Sequence, residues 1–261
     1  MSYQQEKFTA IADNIRTCLG TDEKIKPSNF ADKIPEVFET GKKSEYDEFW
    51  DAYQQNGSRT NYGYAFAQWN KNTFQPKYDI KPTIASYMFY GFNQNRSVES
   101  LPELLKNNNV NMDFSKCTGF MYFGTYSYIS DFGFIDCSGA TNLNHMFNIA
   151  QRLDTVSLKL KDDGSQSFNS TFDACTRLAD ISIEGVIGQN ISFSSSASLS
   201  QDSIISIISA LSDTSTGKTV IFSKNAVNNA FETSKGAADG NTSTEWTTLI
   251  ATKSNWTISL V

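Results

Sequence analysis

No stretch of this chain approaches the roughly 18 to 20 consecutive apolar residues that a bilayer-spanning helix needs, so no membrane span is expected. The opening Met1-Ser-Tyr-Gln-Gln-Glu-Lys7 lacks the apolar stretch of a signal peptide, which predicts synthesis in a cytoplasm and no export by that route. Basic residues are also few. With 22 Lys and Arg against 28 Asp and Glu, the net charge is -6. No Lys/Arg run forms a stripe that would neutralise phosphates, so nucleic acid is not an expected partner.

Imidazole and thiol groups are equally scarce. The cysteines Cys18, Cys117, Cys137 and Cys175 are widely spaced, with no C-x-x-C pair. A zinc site would need four ligands in closer pairs, so these residues read as reduced packing cysteines. His145 is the only histidine. Catalysis by it would need a nucleophile and an orienting acid nearby in space. Ser170 or Asp173, one repeat later, would stack beside it, but any stacked repeat brings polar residues together in that way. His145 therefore reads as a surface histidine.

Carboxylates occur in pairs at Glu45 and Asp47 and at Asp162 and Asp163, as sequence neighbours rather than as acids facing each other across a cleft. Gly217-Lys218-Thr219 resembles the end of a phosphate loop, but Ser212 stands where the first glycine belongs. The element order is also reversed, because a phosphate loop leads from a strand into a helix. Glycosylation sequons begin at Asn56, Asn95, Asn169, Asn190, Asn241 and Asn255, and the abundance of Asn, Ser and Thr accounts for them. No catalytic, cofactor-binding or metal-binding residue is assigned, and the protein is not expected to be an enzyme.

What the chain does have is apolar and aromatic residues, 39% and 13%, enough for a folded core. Between Phe123 and Ile183 they recur as a skeleton. Phe123, Tyr126, Ile129, Phe132 and Phe134 are echoed by Phe147, Ala150, Leu153, Val156 and Leu158, then by Phe172, Cys175, Leu178, Ile181 and Ile183. A unit this short cannot bury its apolar face alone, so copies must stack on a shared core. The predicted repeat core comprises Phe123, Ile129, Phe132, Phe147, Leu153, Val156, Phe172, Cys175, Leu178 and Ile181. Each copy ends in alternating apolar residues, as in Asp180-Ile-Ser-Ile-Glu184, which predicts one short strand per repeat in a parallel sheet.

Four regions follow. Residues 1–56 read as helices at 3–19 and after Ser28, continued by Tyr46, Phe49, Trp50 and Tyr53. Their spacing suits packing within the chain or a bundle between chains. Residues 57–84 form an aromatic-rich connector expected to be irregular. Residues 85–199 hold the repeats, with Phe89, Phe92 and Val98 in a degenerate first copy. Residues 200–261 form a C-terminal α/β cap: a helix after Ser200, a strand over 219–223, a helix over 244–253 and a last strand on Trp256, Ile258 and Leu260.

Phe172-Asp-Ala-Cys175-Thr-Arg-Leu178-Ala-Asp-Ile181-Ser-Ile183 resembles the BspA-like leucine-rich repeat, with its A-F-x-x-C-x-x-L-x-x-I-x-I pattern. The Phe147 copy keeps the pattern with Ala150 for Cys. Ile11-Ala-Asp-Asn-Ile15-Arg, Glu23-Lys-Ile-Lys-Pro-Ser-Asn-Phe-Ala-Asp-Lys-Ile34 and the final Trp256-Thr-Ile258 are similar to segments of virion and tail proteins of phages and prophages of gut Firmicutes. The resemblance implies an α+β fold of N-terminal helices, a short leucine-rich-repeat-type solenoid with a parallel sheet, and the C-terminal cap. It implies a non-enzymatic, tail-associated structural protein, located in the virion after synthesis in the bacterial cytoplasm. On this reading the N-terminal helices contact other virion proteins and support homo-oligomerisation, while the repeats attach to a host-surface protein or glycan. The alternatives are a head-decoration or tail-scaffold protein and, further off, a polysaccharide- or cell-wall-degrading enzyme.

Overall fold

A computed structural model describes residues 49–69, 74–93, 99–232 and 239–261. The helices expected at 3–19 and after Ser28, with Tyr46, lie outside the described residues, as do Asn95 and the core position expected at Val98. Helix and strand mix in an α+β arrangement with two parallel sheets.

The first sheet takes its strands in sequence order: β1 (Glu99–Ser100), β2 (Ile129–Asp136), β3 (Thr155–Lys159) and β4 (Asp180–Glu184). Helix α1 (Leu101–Asn107) follows β1 directly, with Ser100 as its N-cap and a proline at the start, where the missing N–H costs nothing. The second sheet orders β5 (Ile191–Phe193), β6 (Lys218–Phe222) and β7 (Trp256–Leu260). Helix α2 (Gln201–Ala210) precedes β6, α3 (Lys224–Phe231) follows it, and α4 (Thr244–Ala251) leads into β7. The expected helix after Ser200, the strand near 219 and the closing helix and strand are all present. Helices α1 and α3, of 7 and 8 residues, were not expected from the sequence.

All ten predicted repeat-core residues are buried. They join a line of rings running the length of the described chain: Phe66 to Phe89 at 5.5 Å, Phe89 to Phe123 at 5.3 Å, Phe147 to Phe172 at 5.8 Å, Phe172 to Phe193 at 4.9 Å and Phe193 to Phe222 at 6.0 Å. Both sheets and their helices therefore share one hydrophobic core. Each fully buried ring contributes on the order of 2–3 kcal/mol through the area it removes from water. In the helical residues 49–53, Trp50 and Tyr53 pack against Phe66 and Trp69 at the start of this line, and the buried Phe49 packs on Trp50 and Tyr53. This resolves the two options for these three residues toward packing within the chain.

Two parts of the repeat template shift. Strand β2 pairs Ile135 with Leu158 and Phe134 with Ser157, across an irregularity between Asp131 and Phe134. Gly133 sits there at φ 64, and a Cβ on it would come within 2.6 Å of Pro102. The extra residue turns Phe134 outward to 60% exposure and puts Ile135 in its place. Upstream, Gly124 rather than Phe123 is level with Phe147, because Gly124 donates to Met146 O while Phe147 donates to Thr171 O.

The outer edge of β4 has a hydroxyl cover. Ser203 and Ser206, one turn apart on α2, accept from the N–H groups of Ile181 and Ile183, each at 2.9 Å. Ser203 Oγ also donates to Ala179 O at 2.9 Å. An open strand edge would template pairing with another chain, and a serine-bearing helix removes that template.

Candidate binding face

Five segments, 61–68, 84–91, 119–126, 142–149 and 167–174, form a second parallel ladder beside the sheets. In the first, Tyr62, Tyr64, Phe66 and Gln68 donate their N–H groups to the carbonyls of Ile84, Ser86, Met88 and Tyr90 in the next segment. The intervening Ala65, Ala67 and Trp69 donate backward to Tyr62, Tyr64 and Phe66. Alternate N–H groups thus bind between and within layers, so a buried backbone without regular strands is satisfied. The same pattern continues from Ala85, Tyr87, Phe89 and Gly91 through Leu143, His145, Phe147 and Ile149. Residues 57–84, expected to be an irregular connector, supply the first of these segments, Asn61 bridging to Ile84.

This winding needs a left-handed residue twice in each layer, four residues apart: Tyr64 and Gln68, Tyr87 and Gly91, Tyr122 and Tyr126, His145 and Ile149, Ser170 and Ala174, all with φ between 53 and 63. Glycine meets that requirement at no steric cost. A residue with a Cβ loses about 1 kcal/mol or more there. Nine of these ten positions nevertheless carry side chains, and the first of each pair aligns between layers.

Aligned there, the rings stack. Tyr64 and Tyr87 lie 4.3 Å apart with planes 7° from parallel, Tyr87 and Tyr122 4.7 Å apart at 17°, and Tyr122 and His145 4.6 Å apart at 0°. Tyr90 and Tyr126 meet edge to face at 5.6 Å beside this column. Stacking returns part of the backbone cost. Tyr64 and Tyr126 remain 38% and 43% exposed, and Met121 and Ile84 beside them 36% and 41%. Burial first, then the adjacent Tyr64 hydroxyl, pushes the Tyr87 phenol up to about 12 from 10.0. Tyr90 is raised by the same kind of burial and by Tyr126.

His145, read from sequence as an ordinary surface histidine, is the last ring of this column, and the next layer places Ser170 level with it. Ser170 and Asp173 are brought to the neighbouring layer as expected, and there the aligned backbone positions place them. The Tyr64, Tyr87 and Tyr122 column was missed; its signal is a ring or polar residue two places before Phe66, Phe89, Phe147 and Phe172.

Other candidate groups stay structural. Cys117, Cys137 and Cys175 are buried free thiols. Burial pushes Cys117 up to about 11 and Cys175 up to about 12, and raises Cys137 well above its usual value, which keeps all three as unreactive thiols at neutral pH. Asp163 closes a local turn with Ser165, whose hydroxyl and N–H hold its carboxyl below the ordinary range. Lys218 opens β6 and donates to Gln189 at 2.8 Å. Glu45 and Asp47 lie outside the described residues. An open groove of about 680 Å³ between α2 and α4 is lined by Ile205, Phe231, Thr248 and Leu249. Its one carboxylate, Glu245, accepts from Gln201 at 2.6 Å.

No family model, curated protein or solved structure matches the chain. The ring column and the ladder segments around it, in which Asp173 is the one carboxylate, define the candidate site.

Proposed function

We propose that the stacked layers are a leucine-rich-repeat-type solenoid, and that the protein is a non-enzymatic, tail-associated virion protein whose aromatic face attaches to a host cell. The observation that supports a binding role is the column Tyr64, Tyr87, Tyr122 and His145, held partly exposed at left-handed positions where winding alone would be served by glycine. Backbone strain retained under exposed aromatic rings points to use of the rings. The surrounding side chains match surfaces that bind adaptably: Tyr supplies rigid contact area, while Asn61, Ser86, Asn142, Asn144 and Ser170 supply hydrogen bonds. Many copies on one particle would turn weak contacts into firm attachment. The virion setting rests on the resemblance of the N-terminal segment and the repeat. Residues 1–48 would then hold the protein to other virion proteins and to further copies of itself.

Electron microscopy of particles labelled with gold-conjugated antibody to residues 85–261 tests this reading. Gold at the tail tip supports attachment. Gold on the head or along the tail tube favours decoration or scaffolding, and unlabelled particles overturn the virion setting. Deleting residues 1–48 should remove the protein from particles while preserving its fold. The cut stops there because Phe49, Trp50 and Tyr53 belong to the core.

A further inference from the structure

The five ladder segments differ from the rest of the chain in charge. The protein carries 22 Lys and Arg and 28 Asp and Glu, yet these segments contain no Lys, Arg or Glu, and Asp173 alone among charged residues. Depletion of charge with enrichment of Tyr and Met marks the centre of recognition surfaces. A face with a single charged residue gains little from an anionic or cationic partner, and it desolvates few ions when a neutral one binds.

The geometry narrows the partner further. Stacking commits the ring faces of Tyr87 and Tyr122 on both sides, so these residues offer edges and hydroxyls outward. Among the described residues, Tyr64 and His145, at the two ends, each stack on one ring only, and the residue level with His145 in the next layer is Ser170, which carries no ring. An aromatic face carries negative charge density and attracts positively polarised C–H groups. The column therefore presents a row of phenol hydroxyls and side-chain amides between two end rings, Tyr64 and His145, each stacked on one face only. Its chemistry repeats from layer to layer, which suits a ligand that also repeats.

We propose that this face binds an uncharged, hydroxyl-rich polysaccharide lying along the column, with one sugar ring against the unstacked face of His145 above Ser170. The inference rests on the reading of the column as a binding surface and names its ligand class. Sugar hydroxyls would bond to the Tyr64, Tyr87 and Tyr122 phenols and to Asn144 and Asn169.

The test uses the full chain in affinity gels and calorimetry at low and high salt. The probes are neutral β-1,3-glucan, β-1,4-glucan, α-1,6-glucan, α-mannan and N-acetylglucosamine hexamer, with polygalacturonate and poly(glycerol phosphate) as anionic comparisons. Retention by at least one neutral polymer, unchanged by salt, is expected. His145→Ser should weaken it about tenfold, the loss of about 1.4 kcal/mol of contact energy. The triple variant Tyr64→Phe, Tyr87→Phe, Tyr122→Phe keeps the rings and should weaken it by at least as much, with thermal unfolding unchanged. Phe134→Ser, on β2, should leave it unaltered.

Binding only to the anionic polymers, binding abolished by salt, or no binding to any neutral probe overturns the proposal. Whole-cell binding separates it from host attachment. Cells bound through the column but lost after protease treatment would keep attachment and overturn the glycan ligand. Neutral-polymer binding without cell binding would do the reverse, and failure of both would remove both.

Discussion

Gly124 stands level with Phe147 in the turn ladder, and Phe132 fills the space its side chain would occupy. A Cβ at 124 would lie 2.8 Å from Phe132 Cζ and 3.0 Å from Phe147 Cδ1. Phe132 packs 5.1 Å from Phe147 and 6.0 Å from Phe89, so this layer adds a ring from its strand to the Phe123 ring of its turn, 5.5 Å away. Gly124→Ala should destabilise by about 1–3 kcal/mol through overpacking. Urea denaturation checks this; a midpoint equal to the parent's would mean that the ring column yields without cost.

The register of the repeat was thus only partly legible. Phe147, Leu153 and Val156 and their equivalents one repeat on give the correct inward positions, because two clean copies fix spacing and alternation together. The Phe123 copy misleads by one residue at both ends. Gly124 and the irregularity near Gly133 each depend on what a neighbouring ring or Pro102 already occupies, and packing volume of that kind leaves no periodic mark.

Gln166 is a second position where interior chemistry exceeds what periodicity shows. Fully buried, it donates from Nε2 to Cys137 O at 2.8 Å and Ala140 O at 3.0 Å, and its Oε1 accepts from Lys161 N at 2.9 Å. Gln166→Leu keeps the bulk but removes the Gln166 partner of Ala140 O and Lys161 N, while Cys137 O still accepts from Ala140 N. The expected loss is about 3 kcal/mol, since each unpaired buried group costs about 1–3 kcal/mol and part is recovered by relaxation. Chemical denaturation of the purified variant reads it directly, and a loss below about 1 kcal/mol would contradict the hydrogen-bond account.

Lys253 holds the two ends of the C-terminal region together through an unequal pair of contacts. Its Nζ donates to Leu211 O and to Asp213 Oδ1, both at 2.6 Å, while the Asp213 side chain is 82% exposed. The carbonyl should therefore matter more than the ion pair. Asp213→Asn is expected to cost less than about 1 kcal/mol, as exposed ion pairs do. Lys253→Met should cost about 2 kcal/mol through the unpaired carbonyl. Equal losses in the two variants would reverse this ranking.

High pH should weaken the fold before it weakens the backbone. Burial pushes Tyr53 up to about 12, with the Arg59 cation opposing, and Tyr87 also reaches about 12. Both start from 10.0. Below pH 10 the folded and unfolded phenols are protonated alike and stability does not change. Between about 10 and 12 the unfolded chain loses these protons first, so stability falls as pH rises. For the buried Tyr53 the loss is about 2–3 kcal/mol. Tyr53→Phe should flatten the fall of urea midpoint over this interval, and an unchanged slope would show that other groups govern it.

The sequence by itself determined that the chain repeats, which residues face inward in two of the copies, and that α2, β6, α4 and β7 close the C-terminal region. These properties reside in spacing, and spacing of apolar residues dictates burial wherever strand and helix periods hold. Only the tertiary structure decided that residues 61–68 join the ladder, that Gly124 leaves room for Phe132, and that Tyr64, Tyr87, Tyr122 and His145 form one column. Those outcomes depend on the turn ladder, where alternate N–H groups bind across layers and left-handed residues align side chains from distant segments. Alignment between layers is set by backbone hydrogen bonding across loops of unequal length, so it emerges only when the layers are stacked.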